Sequence, residues 1–130
     1  MPAPHRLYPR SLICLAQALL AWALLAWAPA QASQELTLVG KAAVPDVEVA
    51  LDGDDWRWLA RKRVLTLGVY APDIPPFDVT YGERYEGLTA DYMAIIAHNL
   101  GMQAKVLRYP TREQALSALE SGQIDLIGTV

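Results

Sequence analysis

Tyr70, Asp73 and Phe77 stand in one short stretch punctuated by Pro72, Pro75 and Pro76. Proline fixes φ and stiffens the segment around it. Phe77 is then offered as a rigid aromatic face, with the Tyr70 hydroxyl and the Asp73 carboxylate beside it. An aromatic surface for contact, with a few polar groups for orientation, is what one wall of a small-molecule pocket needs. A lone aromatic after a proline pair can equally plug the end of a core. Residue types alone leave both readings open for Phe77.

Other chemistry has little to stand on. Beyond residue 32 the single histidine is His98, near the end of a predicted helix. There a polar or cationic side chain is favoured by the helix dipole, which accounts for it without a metal or a catalytic role. No pair of His, Cys or acidic residues has zinc-ligand spacing. Gly82, Gly87 and Gly101 do not join a strand to a helix in phosphate-loop spacing. Asp52, Asp54 and Asp55 resemble part of a calcium loop, but residues 56–63 contain no acid to complete one. The expected catalytic and metal sets are therefore none, and no cofactor is expected on this chain.

The elements that position the Tyr70–Phe77 stretch are regular. Val64 to Tyr70 is a nearly continuous apolar run, as in a strand covered on both faces. A hairpin-like stretch follows the prolines. A helix is predicted over 90–100, capped by Thr89, with Asp91 in its first turn, Leu88, Tyr92, Ile95, Ile96 and Leu100 as its buried stripe, and Gly101 as its exit. Gln103 to Tyr109 reads as a second strand. Pro110-Thr111 opens another helix, with Thr111 and Gln114 at capping-box spacing, Ala115, Leu116 and Leu119 buried, and Gly122 at its end. Ile124 to Val130 reads as a third strand. The pattern predicts an α/β fold with a βαβαβ unit of parallel strands. Ligands of such sheets sit beyond the carboxyl ends of the strands. Here those ends are Tyr70 to Phe77, the Tyr109 region, and Gly128, Thr129 and Val130.

Residues 33–63 read as a lead-in, with short β-like runs at 36–39 and 44–51. A short helix over 56–61 has aspartates at its start and Arg61, Lys62 and Arg63 at its end. The basic triplet is read as a solvated helix end, with a binding patch as the alternative.

The first 32 residues have a different character. His5, Arg6 and Arg10 precede an almost wholly apolar run, residues 12–28, and Ala30 and Ala32 bracket Gln31. This is the form of a secretory signal peptide, with cleavage expected after Ala32. An uncleaved anchor is the alternative, since the run is at the short edge of what spans a bilayer. Residues 33–130 then contain no cysteine, and they carry nine basic against 14 acidic residues. That balance argues against nucleic acid or an anionic membrane surface as partner. The chain of 130 residues fits at most one modest domain. Its last apolar run has no terminating signal, so it reads as the front part of something longer.

Leu67-Gly68-Val69, then Pro75-Pro76-Phe77, then Tyr85-Glu86-Gly87-Leu88-Thr89-Ala90-Asp91, resemble the opening of family 3 bacterial extracellular solute-binding domains, the Venus-flytrap fold. Leu119-Glu120-Ser121-Gly122-Gln123-Ile124-Asp125-Leu126-Ile127 is similar to that family's leucine–glycine–aspartate-leucine-isoleucine signature. The resemblance covers residues 58–130. The lead-in Trp58-Leu59-Ala60-Arg61 and the stretch from Tyr85 to Tyr92 look more like the periplasmic flytrap domains of hybrid sensor histidine kinases.

The resemblance implies a partial lobe whose ligand-facing residues are Phe77, Tyr70, Asp73, Gly128 and Thr129, with Asp91 and Asp125 structural. It also implies a parent protein in the inner membrane, anchored by a transmembrane helix. That parent would use ATP in a kinase region, a second protomer and a response regulator, all through residues outside this chain. Alternatives on the same scaffold are a soluble periplasmic solute-binding protein of an ABC transporter, or a periplasmic enzyme such as a dehydratase or a transglycosylase.

Overall fold

The computed structural model describes residues 33–129; the signal-peptide reading and Val130 lie outside them. The elements in chain order are β1 (Gln34–Leu38), α1 (Gly53–Lys62), β2 (Val64–Tyr70), β3 (Val79–Tyr81), β4 (Arg84–Glu86), α2 (Leu88–Asn99), β5 (Gln103–Tyr109), α3 (Arg112–Glu120) and β6 (Leu126–Ile127). The six strands form one sheet in the order β3-β4-β1-β5-β2-β6. β2 pairs in parallel with both β5 and β6, so the βαβαβ expectation holds, with the β3–β4 hairpin inserted after β2.

Side-chain parity on β5 shows how the sheet is covered. Val106 belongs to a core with Leu36, Leu59, Leu65, Leu67, Val69, Tyr85, Ala90 and Met93, which takes in α1 and α2. Tyr109 belongs to a second core with Ala115, Ala118 and Ile124, beneath α3. Positions 106 and 109 differ by an odd number, so their side chains leave opposite faces of the strand. The sheet thus carries α1 and α2 on one face and α3 on the other. This explains why β2 reads as a nearly continuous apolar run. Tyr85, Val106 and Ile124 are the largest fully buried side chains, each worth about 1.5–3 kcal/mol by burial alone.

Four expectations need correction. The β-like run expected at 36–39 is a strand, β1 over 34–38, but it does not stand apart ahead of the unit: it lies inside the sheet, antiparallel to β5 and parallel to β4. The run 44–51 forms no strand. It is an irregular strap held on α2, where the Asn99 side chain accepts from Val47 N–H at 2.6 Å and donates to the Pro45 carbonyl at 3.1 Å. His98 Nε2 lies 3.1 Å from Asp46 Oδ1 on the same strap. Both neighbours of β1 in the sheet are already occupied, so this segment does not pair beside it.

The third correction concerns α2. Its buried residues are Ala90, Met93 and Ala97, whereas Leu88, Tyr92 and Ile96 are exposed. Ala90, Met93 and Ala97, at spacings of three and four, form the face turned to the sheet. Thr89 is also not the cap; Gly87 holds that position without a side-chain bond. The last correction is to the third strand, which is only Leu126–Ile127.

The remaining ends follow local chemistry. Asp52 caps α1 by accepting from the N–H groups of Asp54 (2.8 Å) and Asp55 (2.9 Å). Thr111 caps α3 by accepting from Gln114 N–H. Asp125 is structural as expected: it accepts from Thr66 N–H at 2.9 Å and pairs with Lys62 at 2.6 Å. Lys62 is therefore not simply a solvated member of the basic triplet. Asp91 ties down the strap by accepting from the N–H groups of Lys41 and Ala42.

Candidate functional site: the carboxyl ends of the parallel strands

The parallel register brings three separate stretches of sequence to one sheet end. Tyr70 lies opposite Tyr109 as β2 and β5 finish, and Ala71 N–H donates to the Tyr109 carbonyl at 3.1 Å. β6 runs alongside β2, and Gly128 N–H donates to the Gly68 carbonyl at 2.9 Å. The Tyr70 hydroxyl then donates to the Thr129 carbonyl at 2.7 Å, tying the exits of β2 and β6 together. Gly128 comes close to both Val69 and the Asp78 carboxylate, a placement that leaves little room for a side chain.

The loop after β2 closes on itself. Ile74 and Asp78 form an antiparallel bridge, and Phe77 N–H donates to the Ile74 carbonyl at 2.8 Å. The Ala71–Pro72 and Pro75–Pro76 peptide bonds are cis. Leu88 N–H donates to the Pro76 carbonyl and Thr89 N–H to the Phe77 carbonyl, both at 3.1 Å. The loop's own carbonyls thus satisfy the first free N–H groups of α2, which is why no side-chain cap is needed there.

Gly87 makes this docking possible. Its φ is +112°, and a Cβ there would stand 2.3 Å from the Phe77 carbonyl oxygen. Phe77 itself is 46% exposed and belongs to neither core, so its ring is not a core plug among the described residues.

Asp73 has a different role from an open ligand group. One carboxylate oxygen accepts from Arg108 at 2.9 Å and the other from Thr80 N–H at 2.7 Å. The carboxylate pins the loop to β5 and β3. Below it, Asp78 is buried and accepts from the hydroxyl of fully buried Tyr85. Burial pushes the Tyr85 phenol well above its ordinary range, and the neighbouring Asp78 adds to that. Tyr85 stays protonated and donates. Glu86 is buried too, bonded to Lys41 and Arg84. The Lys41 hydrogen bond holds its carboxyl below the usual range, against the opposing effect of desolvation.

Of the five site residues read from sequence, the structure brings Tyr70, Gly128 and Thr129 together and ties Asp73 and Phe77 into the adjoining loop. Sequence reading missed Asp78, Tyr85, Gly87 and Arg108 as supports. Asp78 directly follows Phe77, and Gly87 lies inside the Tyr85–Asp91 motif, so both were within sight. Beside the loop, Gln34, Ala71, Arg108, Tyr109 and Pro110 line a hollow of about 180 Å³. Among the described residues, no group of three or more His, Cys, Asp or Glu could hold a metal ion. The arrangement sets an exposed aromatic ring, Phe77, beside polar groups at the strand ends.

A mixed sheet with helices on both faces, parallel strand exits and an aromatic loop beside them is part of one lobe of a Venus-flytrap domain. The crystal structure of a double mutant of the Bordetella pertussis BvgS VFT2 domain matches it with a TM-score of 0.52, covering 58% of this chain and 31% of that one. Sequence identity in that match is 21%, so the likeness speaks for the fold.

Along all 130 residues the chain is 96% identical to the virulence sensor protein BvgS of Bordetella bronchiseptica. It is 95% identical to that of Bordetella parapertussis. It is also 28% identical over 78 residues to the sensor protein EvgS of Escherichia coli O157:H7. The chain spans about a tenth of the length of the BvgS relatives. No family model matches it.

Proposed function

We propose that this chain supplies the first βαβαβ portion of a clamshell lobe in the periplasmic sensor region of a hybrid sensor histidine kinase of the virulence-sensor type. The observation that carries this reading is the 96% identity, along the whole chain, to a virulence sensor protein. The flytrap fold supplies the mechanism. A small solute, or a resting closed state, biases the separation of two lobes. That bias reaches a kinase only if the two lobe arrangements differ in free energy of coupling to the membrane-spanning segment. The response regulator, a second protomer and ATP act through parts of the protein outside residues 1–130. Residues 1–32 serve as the export signal, cleaved after Ala32.

In this reading Phe77 meets the solute, Tyr70 fixes the cleft end of the sheet, and Asp73 holds the loop in place. The test is Phe77→Ala in the full-length protein, with phosphotransfer to the response regulator and thermal stability both measured. Signalling should change while stability moves by no more than about 0.5 kcal/mol, as for a surface position. A stability loss near the ~3–5 kcal/mol of a core Phe deletion, with signalling intact in the folded fraction, would reject the cleft assignment.

A further inference from the structure

We propose that the chain carries a second small-molecule site, at the opposite end of the sheet from the strand exits, that takes a compact apolar monocarboxylate. A hollow of about 400 Å³ opens there, where the C-terminal ends of α1 and α2 meet the starts of β2 and β5. Val64 and Gln103 pair in register at this end, and Tyr70 and Tyr109 at the other. Six residue steps of roughly 3.3 Å put about 20 Å between the two sites. The volume falls within the range of ligand pockets, roughly 300–1,000 Å³.

The lining has two characters. Leu59 and Leu100 make an apolar floor, and the Trp56 indole, 41% exposed, forms a wall. Arg63 and Gln103 supply the polar residues of the lining.

Arg63 is the unusual member. Its backbone has φ 60° and ψ −35°, outside the regions an L residue ordinarily adopts. Such a conformation persists only where the surroundings enforce it. Here Arg63 N–H donates to the Leu59 carbonyl and the Arg63 carbonyl accepts from Gln103 N–H, both at 2.9 Å. The backbone is clamped from two sides, which fixes the root of the side chain at the hollow. Of the neighbouring cations, Lys62 pairs with Asp125 and Arg57 with Asp54, and Arg61 does not line the hollow. The Arg63 guanidinium has no hydrogen-bond or ion-pair partner among the described residues.

The ligand class follows from these groups. A guanidinium presents a fork that matches a carboxylate with two parallel hydrogen bonds. The C-terminal ends of α1 and α2 oppose an anion through their partial negative charge. A forked, charge-assisted pair outweighs those partial charges. The same opposition disfavours ligands of higher charge, such as phosphates or dicarboxylates. The Trp56 wall and leucine floor then call for an apolar body behind a single carboxylate.

The test is calorimetric titration of the full-length protein with hexanoate, using hexan-1-ol as the uncharged control. Saturable hexanoate binding is expected, with hexan-1-ol roughly tenfold weaker or worse. Arg63→Gln should weaken hexanoate by a similar factor, Trp56→Ala should weaken it as well, and Phe77→Ala should leave it unchanged. Arg63→Gly guards against a folding artefact: glycine suits φ 60°, so the melting temperature should hold or rise while hexanoate binding is lost. No saturable binding by the wild type would overturn the proposal. So would hexanoate binding by Arg63→Gly at wild-type strength, equal affinity for the alcohol, or loss of binding on Phe77→Ala.

Discussion

Gly87→Ala is the substitution that most directly tests how the aromatic loop is held. Gly87 sits at φ +112° and ψ −177°, a region that is essentially glycine's own. Forcing an L residue there costs about 1–3 kcal/mol in backbone strain. A methyl group would also stand 2.3 Å from the Phe77 carbonyl oxygen and 2.9 Å from the Pro76 oxygen, both backbone atoms that cannot rotate away. The loop must therefore lift off the start of α2. Lifting it breaks the bonds from Leu88 and Thr89 to those same carbonyls, each worth about 0.5–1.5 kcal/mol. Together these give a loss of about 2–6 kcal/mol.

Gly82→Ala is the matched control. Gly82 is the first residue of the two-residue turn between β3 and β4, at φ +61°, and a methyl group added there would meet nothing within 4 Å. Only the left-handed penalty applies, about 1–2 kcal/mol. Urea denaturation of the full periplasmic region, followed for both variants, measures the difference. If Gly87→Ala costs no more than Gly82→Ala, the close packing of loop against helix does not hold the site together, and the reasoning fails.

The remaining predictions concern other supports. On α2, Met93→Ala should cost about 2–5 kcal/mol because Met93 is buried, whereas Ile96→Ala should cost little because Ile96 is exposed; equal losses in thermal unfolding would put the helix face wrong. Asp73→Ala removes the partner of both Arg108 and Thr80 N–H and should destabilise by about 1–3 kcal/mol; an unchanged urea midpoint would show that the carboxylate does not pin the loop. Glu86 gives a pH test, since folding lowers its carboxyl from the ordinary 4.5. Its stabilising contribution is then complete above about pH 4.5 and is lost as the pH falls through the lower folded value. The melting temperature of the wild type should exceed that of Glu86→Gln at pH 7, and the gap should narrow as the pH falls below 4.5; a constant gap would refute the Lys41 pairing as its cause.

Local patterns made part of this protein legible without coordinates. The bounds of β2 and β5 coincide with the stretches read as strands at 64–70 and 103–109; β2 is plain because a strand covered on both faces is apolar nearly throughout. The Thr111 cap follows from a side chain reaching an N–H group three residues away, an interaction complete within its own segment; the helix expected over 56–61 instead starts at Gly53, with Asp52 as its cap. The gathering of Tyr70, Tyr109 and Thr129 followed from expecting parallel strands.

Tertiary structure decided the rest, wherever an outcome depended on a partner remote in sequence. β1 joins the sheet through β4 and β5, neither of which its own five residues can specify. On α2 a helical period is visible, but two stripes compete: Leu88, Tyr92 and Ile96 against Ala90, Met93 and Ala97. Only the packed sheet decides which stripe turns inward. Asp78 and Glu86 look like ordinary exposed acids until folding sets Tyr85, Lys41 and Arg84 around them. A chain encodes its short-range bonds openly, residue by residue. Which face is buried, and which charge is enclosed, is fixed only when distant segments compete for the same space.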